Sequence, residues 1–237
     1  MPVGERRARL GLRHHLAPPA LVAEGGAGGV AAVAGDLLGL HATDPSAVFM
    51  QAIARMAEVS VDDVSAALYD DRTRLATYGP VTVADAKWWS GWTAADVKRA
   101  LSVVGPVEVA FDDSGAPGWV LADDIEPVTA PEPWAVLLAA LDQAVMGWSG
   151  REWFLGEHRG PLFDRSGNVG PTVWWDGRIV GGWAQRNDGE VAVGLLEDVG
   201  ADAKAAIDAQ VERLVTVLGE RRFTPKFRTP LERQLSA

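Results

Sequence analysis

Apolar positions in the first third of the chain recur at spacings of three and four, the signature of helices with one buried face. The pattern predicts a helix over 30–40, a break at Asp44-Pro45, and a second helix over 46–57 that Pro45 is well placed to start. Ser60 caps a third over 61–69, where Val61, Val64, Ala67 and Leu68 keep the spacing. Three short helices with tight breaks predict a helix-turn-helix unit over 30–78. A second unit follows over 79–126. Its first helix ends at Trp88-Trp89 and breaks at Ser90-Gly91. Thr93, with Asp96 as a short capping box, opens the next helix, whose buried face is Val97, Ala100, Leu101 and Val104. Two alternating runs at 107–111 and 118–121, joined by Asp112-Asp113-Ser114-Gly115, then form a hairpin, so the layout is a helix-turn-helix with a wing. Trp88, Trp89 and Trp92 are expected to plug the space between helices and wing.

Pro127, Pro131 and Pro133 mark a change of pattern. Beyond a short apolar run at 134–141 the period becomes two. Residues 172–175, 178–185 and 190–196 read as strands, separated by the tight-hairpin signals Asp176-Gly177 and Asn187-Asp188-Gly189. Residues 201–218 are an amphipathic helix with Ala205, Ile207, Val211, Leu214, Val215 and Leu218 on its apolar side, and a basic tail follows. The fold class expected is α+β: tandem winged-helix-type units, then an antiparallel, barrel-like β domain over 134–237 packed by one helix.

Composition narrows the function classes. With 237 residues and 48% hydrophobic content the chain can bury a substantial core. No run reaches the ~20 apolar residues of a membrane helix. The absence of cysteine excludes disulfides and thiolate metal sites and fits a cytoplasmic location, and the four histidines lack metal-binding spacing, so neither metal nor cofactor is expected. The net charge of −10 opposes indiscriminate nucleic-acid binding. The two ends are nonetheless basic. A basic arm and glycine-rich linker over 1–29 carries Arg6, Arg7, Arg9 and Arg13, and the tail carries Arg221 and Arg222. Gly25-Gly26-Ala27-Gly28-Gly29 lacks the spacing of a phosphate loop.

On the second helix of the winged unit, Lys98 and Arg99 fall on exposed sides, where they are candidates for phosphate or base-edge contacts. Against this, residues 79–124 hold seven acidic and three basic side chains. His41 and Thr43 flank Ala42 at the end of the first predicted helix. A neutral imidazole can accept a proton and a hydroxyl can orient a water; side chains at a helix end also commonly bond its last carbonyls.

The strings GDLLGLHATDPSAVFMQAIAR (35–55), VDDVSAALYDDRT (61–73), GPVTVADAKWWSGWTAADVKRAL (79–101), FDRSGNVGPTVWWDGRIVGGWAQR (163–186) and TPLERQL (229–235) resemble the winged-helix family of AlkZ- and YcaQ-type DNA glycosylases. The resemblance implies tandem winged-helix units, a β-barrel-like domain, and hydrolysis of the N-glycosidic bond of alkylated or cross-linked bases in double-stranded DNA. Members carry a Gln-x-Gln or Gln-x-Asp motif that positions the attacking water; the matching positions here are His41 and Thr43. The resemblance also implies internal shortening, because Leu75-Ala76-Thr77-Tyr78 runs straight into Gly79 where members insert further elements. The expectation is thus a DNA-binding protein of glycosylase type. The alternatives are a non-catalytic winged-helix regulator and an acidic interaction module that does not bind DNA.

Overall fold

The structure, a computed structural model, describes residues 1–18, 33, 50–51, 53–56, 80–90, 93–95, 97–98, 101, 106–120, 125–223 and 225–237. Most of the expected first helix-turn-helix unit, with His41 and Thr43, lies outside the described residues. So do Trp92, Asp96 and Arg99.

The architecture is α+β with antiparallel sheets. Residues expected in a basic arm form helix α1 (Val3–Arg13). Its Leu10, with Leu16 and Ala17 beyond its end, joins the core that contains Trp134, Trp153, Phe154 and Trp174. Gly11 lies flat on the Trp134 indole; a Cβ there would come within 2.9 Å of the ring.

In the second unit, helix α2 (Val83–Ser90) starts with a reciprocal box one helix earlier than the one expected at Thr93. Thr82 Oγ1 accepts from Asp85 N at 3.1 Å, and Asp85 Oδ2 accepts from Thr82 N at 3.1 Å. Thr-x-x-Asp was equally legible here. The hairpin forms at the expected place: β1 (Val107–Ala110) pairs antiparallel with β2 (Pro117–Val120), and Val81 bridges to Trp119 on the outer side.

The main sheet has the order β3 (Ala135–Leu138), β4 (Thr172–Trp175), β5 (Arg178–Gln185), β6 (Val191–Leu195), every neighbour antiparallel. The expected strands at 172–175 and 178–185 match residue for residue. Asp176 and Gly177 both take positive φ (46° and 74°), as a two-residue hairpin turn of this hand demands. Two features differ from expectation. The order is linear, and no pairing closes it into a barrel among the described residues. The strands are also buried on both faces, since β5 is covered along nearly its whole length. Val136, Leu138, Trp174 and Ile179 face one apolar cluster; Leu137, Val173, Val180 and Trp183 face the other. A sheet covered on both sides has no need to curl on itself to hide a face.

The two covers differ. Helix α6 (Gly200–Leu218) lies on one face through Ala203, Ile207, Leu214 and Leu218. Of its expected apolar face, Ala205 is exposed and Val215 is 42% exposed. The stripe runs 203, 207, 211, 214, 218, and those two side chains fall beside it. The other face carries α1 and the short helices α3 (Gln143–Met146), α4 (Glu152–Leu155) and α5 (Arg159–Leu162), with Leu231 of α7 (Pro230–Leu235). Among the described residues no helix is long and apolar enough to cross a membrane.

Candidate nucleic-acid interface

The segment bearing His41 and Thr43 is followed in sequence by a stretch whose anchoring is well defined. Met50, Gln51, Ile53, Ala54, Arg55 and Met56 are all buried, so the described residues of this part of the expected amphipathic helix present no solvent face. Its fixed point is Arg55. The guanidinium is fully buried and grips the equally buried Asp142 through two hydrogen bonds of 2.8 and 2.7 Å. Two further N–H groups reach the carbonyls of His14 and Gln51 at 2.8 and 3.0 Å. Asp142 in turn caps α3 by accepting from Ala144 N at 2.9 Å. From α6, Arg213 donates to the carbonyls of Ile53 and Met56 at 2.9 and 2.5 Å, closing the end of the same stretch. A bidentate pair with its other donors satisfied is the arrangement that makes a buried ion pair tolerable.

Beside it lies His14, also buried. Burial, then the neighbouring charges of Arg55, Arg13 and His15, push its imidazole well below its ordinary range. His14 is therefore neutral at physiological pH.

The arginines expected to contact DNA have diverse fates. Arg6 is buried between the rings of Phe111 and Trp153, 4.2 and 4.3 Å from their centroids, and pairs with Asp113 at 2.9 Å. Arg9 pairs with Glu5 at 2.8 Å and donates to the Glu126 carbonyl at 2.8 Å. These two are consumed inside the protein and correct the expectation that they face phosphates. Arg7 donates twice to the Trp153 carbonyl. Arg222 clamps the carbonyls of Gly219, Arg221 and Asp188, against the β5–β6 turn at Gly189. Arg13 is half-buried, whereas Lys98 and Arg221 are exposed.

Trp88 departs from the expected plug, since it is 54% exposed, and the side chains of Trp89 and Trp92 lie outside the described residues. Its indole N–H donates to the Met146 carbonyl at 3.0 Å, and Arg151 lies 5.3 Å from the ring centroid. The side chain bridges α2 to the C-terminal half at the surface. Asp85 makes a second bridge, accepting from Ser149 N and Gly150 N at 2.8 and 3.2 Å.

Sequence reasoning missed one further polar cluster. Glu197 accepts from Arg178 at 2.6 Å and shares a hydrogen bond of 3.1 Å with His158 Nε2. Partial burial pushes the Glu197 carboxyl up, but His158 and Arg178 outweigh it and hold the group below its ordinary value. The two histidine and arginine partners come from separate elements, and nothing in local spacing announces their meeting. Among the described residues no group of three or more metal-ligating side chains forms.

Comparison with known proteins places this arrangement. The family model for AlkZ-like DNA glycosylases matches residues 72–217. That span covers the second unit, the sheet and nearly all of α6; His41 and Arg55 lie before it. No curated protein matches. The structure is similar to that of the Streptomyces sahachiroi DNA glycosylase AlkZ, with a TM-score of 0.50 and 27% sequence identity over 59% of this chain and 40% of that one. The chain thus spans well under half the length of that relative. The match over residues 72–217 takes in more than half of the sequence, and the chain belongs to the AlkZ-like DNA glycosylase family.

Proposed function

We propose that this protein binds double-stranded DNA and excises an alkylated base by hydrolysing its N-glycosidic bond. The observation that carries this reading is the family match over residues 72–217. Two winged-helix-type units present the DNA-facing surface, with Lys98, Arg99 and Arg221 as the phosphate contacts. Arg6 and Arg9 serve the fold instead. The candidate catalytic residues are His41 and Thr43, at the positions of the family's water-positioning motif. In the reaction a water oxygen bonds to C1′ of the damaged nucleotide and the C1′–N9 bond breaks. Its electron pair stays with the purine and neutralises the positive charge that N7-alkylation placed there. His41 takes the proton lost by the water, and Thr43 orients that water. A cationic base is a good leaving group, so the protein need supply only part of the rate.

A second reading, a non-catalytic DNA-binding regulator, is favoured by one observation. His41-Ala42-Thr43 differs from the Gln-x-Gln or Gln-x-Asp motif at both polar positions.

Purified protein incubated with duplex DNA containing N7-methylguanine separates the readings. Release of free base by wild type is expected, reduced about 100-fold in His41→Ala, in line with loss of a general base, and also reduced in Thr43→Ala. Duplex binding without release selects the regulator. Absence of duplex binding at low salt rejects both.

A further inference from the structure

The turn between α5 and β4 and the segment entering α7 face each other across an open concavity. Arg165 lines it from the turn, and Arg228 and Arg233 line it from the other side. Arg159 extends the rim, its guanidinium 4.9 Å from the centroid of Phe163, another wall residue. The acidic wall residue is Asp164, and its carboxylate is already spent on its own turn. It accepts from Ser166 N and Asn168 N at 2.8 Å each and from Asn168 Nδ2 at 2.9 Å. Burial pushes this carboxyl up, but those hydrogen bonds, with one from Gly167, hold it below its ordinary value, so it remains an anion occupied by amides. Glu232, next to Arg233, is buried in the capping box of α7.

Most arginines described above are paired or clamped onto carbonyls. Arg165, Arg228 and Arg233 differ, because their side chains form no ion pair or hydrogen bond with another described residue. Three such cations around one concavity of a chain with net charge −10 repel one another until an anion joins them. The wall is also rigid. Phe163 bridges to Val169, Asp164 N donates to the Asn168 carbonyl at 2.9 Å, and the turn is closed. Thr229, between Arg228 and α7, packs so tightly on Gly170 that a Cβ there would come within 2.6 Å of its hydroxyl. Turn and tail are thereby held in one geometry, so little ordering is needed when an anion arrives.

We propose that this concavity is a contact site for the phosphate backbone of DNA, with Arg165, Arg228 and Arg233 as the neutralising groups. Guanidinium matches phosphate in planar, bidentate fashion, and three of them across a groove suit a repeating phosphodiester better than one small anion. The proposal rests on the DNA-binding reading above and assigns it a surface that the sequence patterns did not.

The test is duplex-oligonucleotide binding by fluorescence anisotropy over a series of KCl concentrations. It compares wild type, the triple variant Arg165→Gln/Arg228→Gln/Arg233→Gln, each single variant, and Arg186→Gln as a control for lost surface charge. Arg186 is paired with Glu190 and the Leu235 carbonyl, outside the concavity. The slope of log affinity against log salt is expected to fall by roughly 0.9 per neutralised phosphate, hence by roughly one in each single variant and two to three in the triple, and to stay unchanged in Arg186→Gln. A triple variant with the wild-type slope overturns the site while leaving DNA binding intact. Wild-type protein that does not bind duplex overturns both.

Discussion

At the residue scale, the side chain that carries most consequence is Arg55. Removing one member of a buried pair leaves the other charged and unpaired, a loss of about 3–5 kcal/mol. Asp142→Ala is therefore expected to lower the urea midpoint strongly, and Arg55→Met/Asp142→Leu to recover much of the difference because neither charge remains. Equilibrium urea unfolding of the two variants beside wild type measures this. None of it was legible in the sequence. Arg55 sits among apolar neighbours at helical spacing, and its partner is 87 residues away. His14 gives a pH signature. Its folded-state affinity for a proton is depressed, so the unfolded chain binds the proton first. Its contribution is fully present above about pH 6.5, the ordinary histidine value, and is lost on acidification at up to about 1.4 kcal/mol per pH unit. Stability measured by urea unfolding is expected to fall between pH 7 and pH 5.5, and the slope to flatten in His14→Gln. The lowered Asp164 and Glu197 carboxyls act only at more acidic pH.

At the element scale, the sheet was the most legible part of the fold. Asp-Gly pairs and β-branched runs are local signals, and β4, β5 and the hairpin β1–β2 appear where they predict. What local pattern does not carry is what lies across each face. The expectation was of one packing helix, whereas α1 and α6 cover opposite faces. Helix α1 was missed because its arginines look like a solvated arm until Asp113, Glu5 and the Glu126 carbonyl are seen to receive them. Close backbone approach is the remaining hidden constraint. At Gly181 a Cβ would lie 2.3 Å from the Gly194 carbonyl oxygen on β6, too near for either strand to yield cheaply. Gly181→Ala is expected to cost about 1–3 kcal/mol through overpacking. Gly160→Ala, in α5 with nothing near the new methyl, is expected to be neutral or slightly stabilising. Thermal melts of the two variants distinguish these outcomes.

At the scale of the whole molecule, the two basic ends belong to one body with the sheet. Arg6 touches both the hairpin, through Phe111 and Asp113, and the C-terminal half, through Trp153. Trp88 and Asp85 tie α2 to the same half. The proline-marked change of pattern near 127–133 is therefore crossed by contacts on several sides. His41 and Thr43 lie outside the described residues and keep their candidate role from side-chain chemistry, which is weak because such residues at a helix end have ordinary structural uses, and from family resemblance. The arginine concavity was not legible at all, because Arg165 and Arg228 are brought together by the packing of Thr229 on Gly170.

Helix α1 also imposes an order on folding. It leaves the ribosome before its partners: Arg7 bonds a carbonyl 146 residues later and Arg9 one 117 residues later. Its burial waits until α4 has been made. During synthesis Leu10 and Leu16 are apolar surface without a cover, and contacts closed over such separations form slowly. Arg6, Arg7 and Arg9, which become internal fastenings once the sheet exists, leave the waiting helix strongly charged until then, and like charge on neighbouring chains opposes their association.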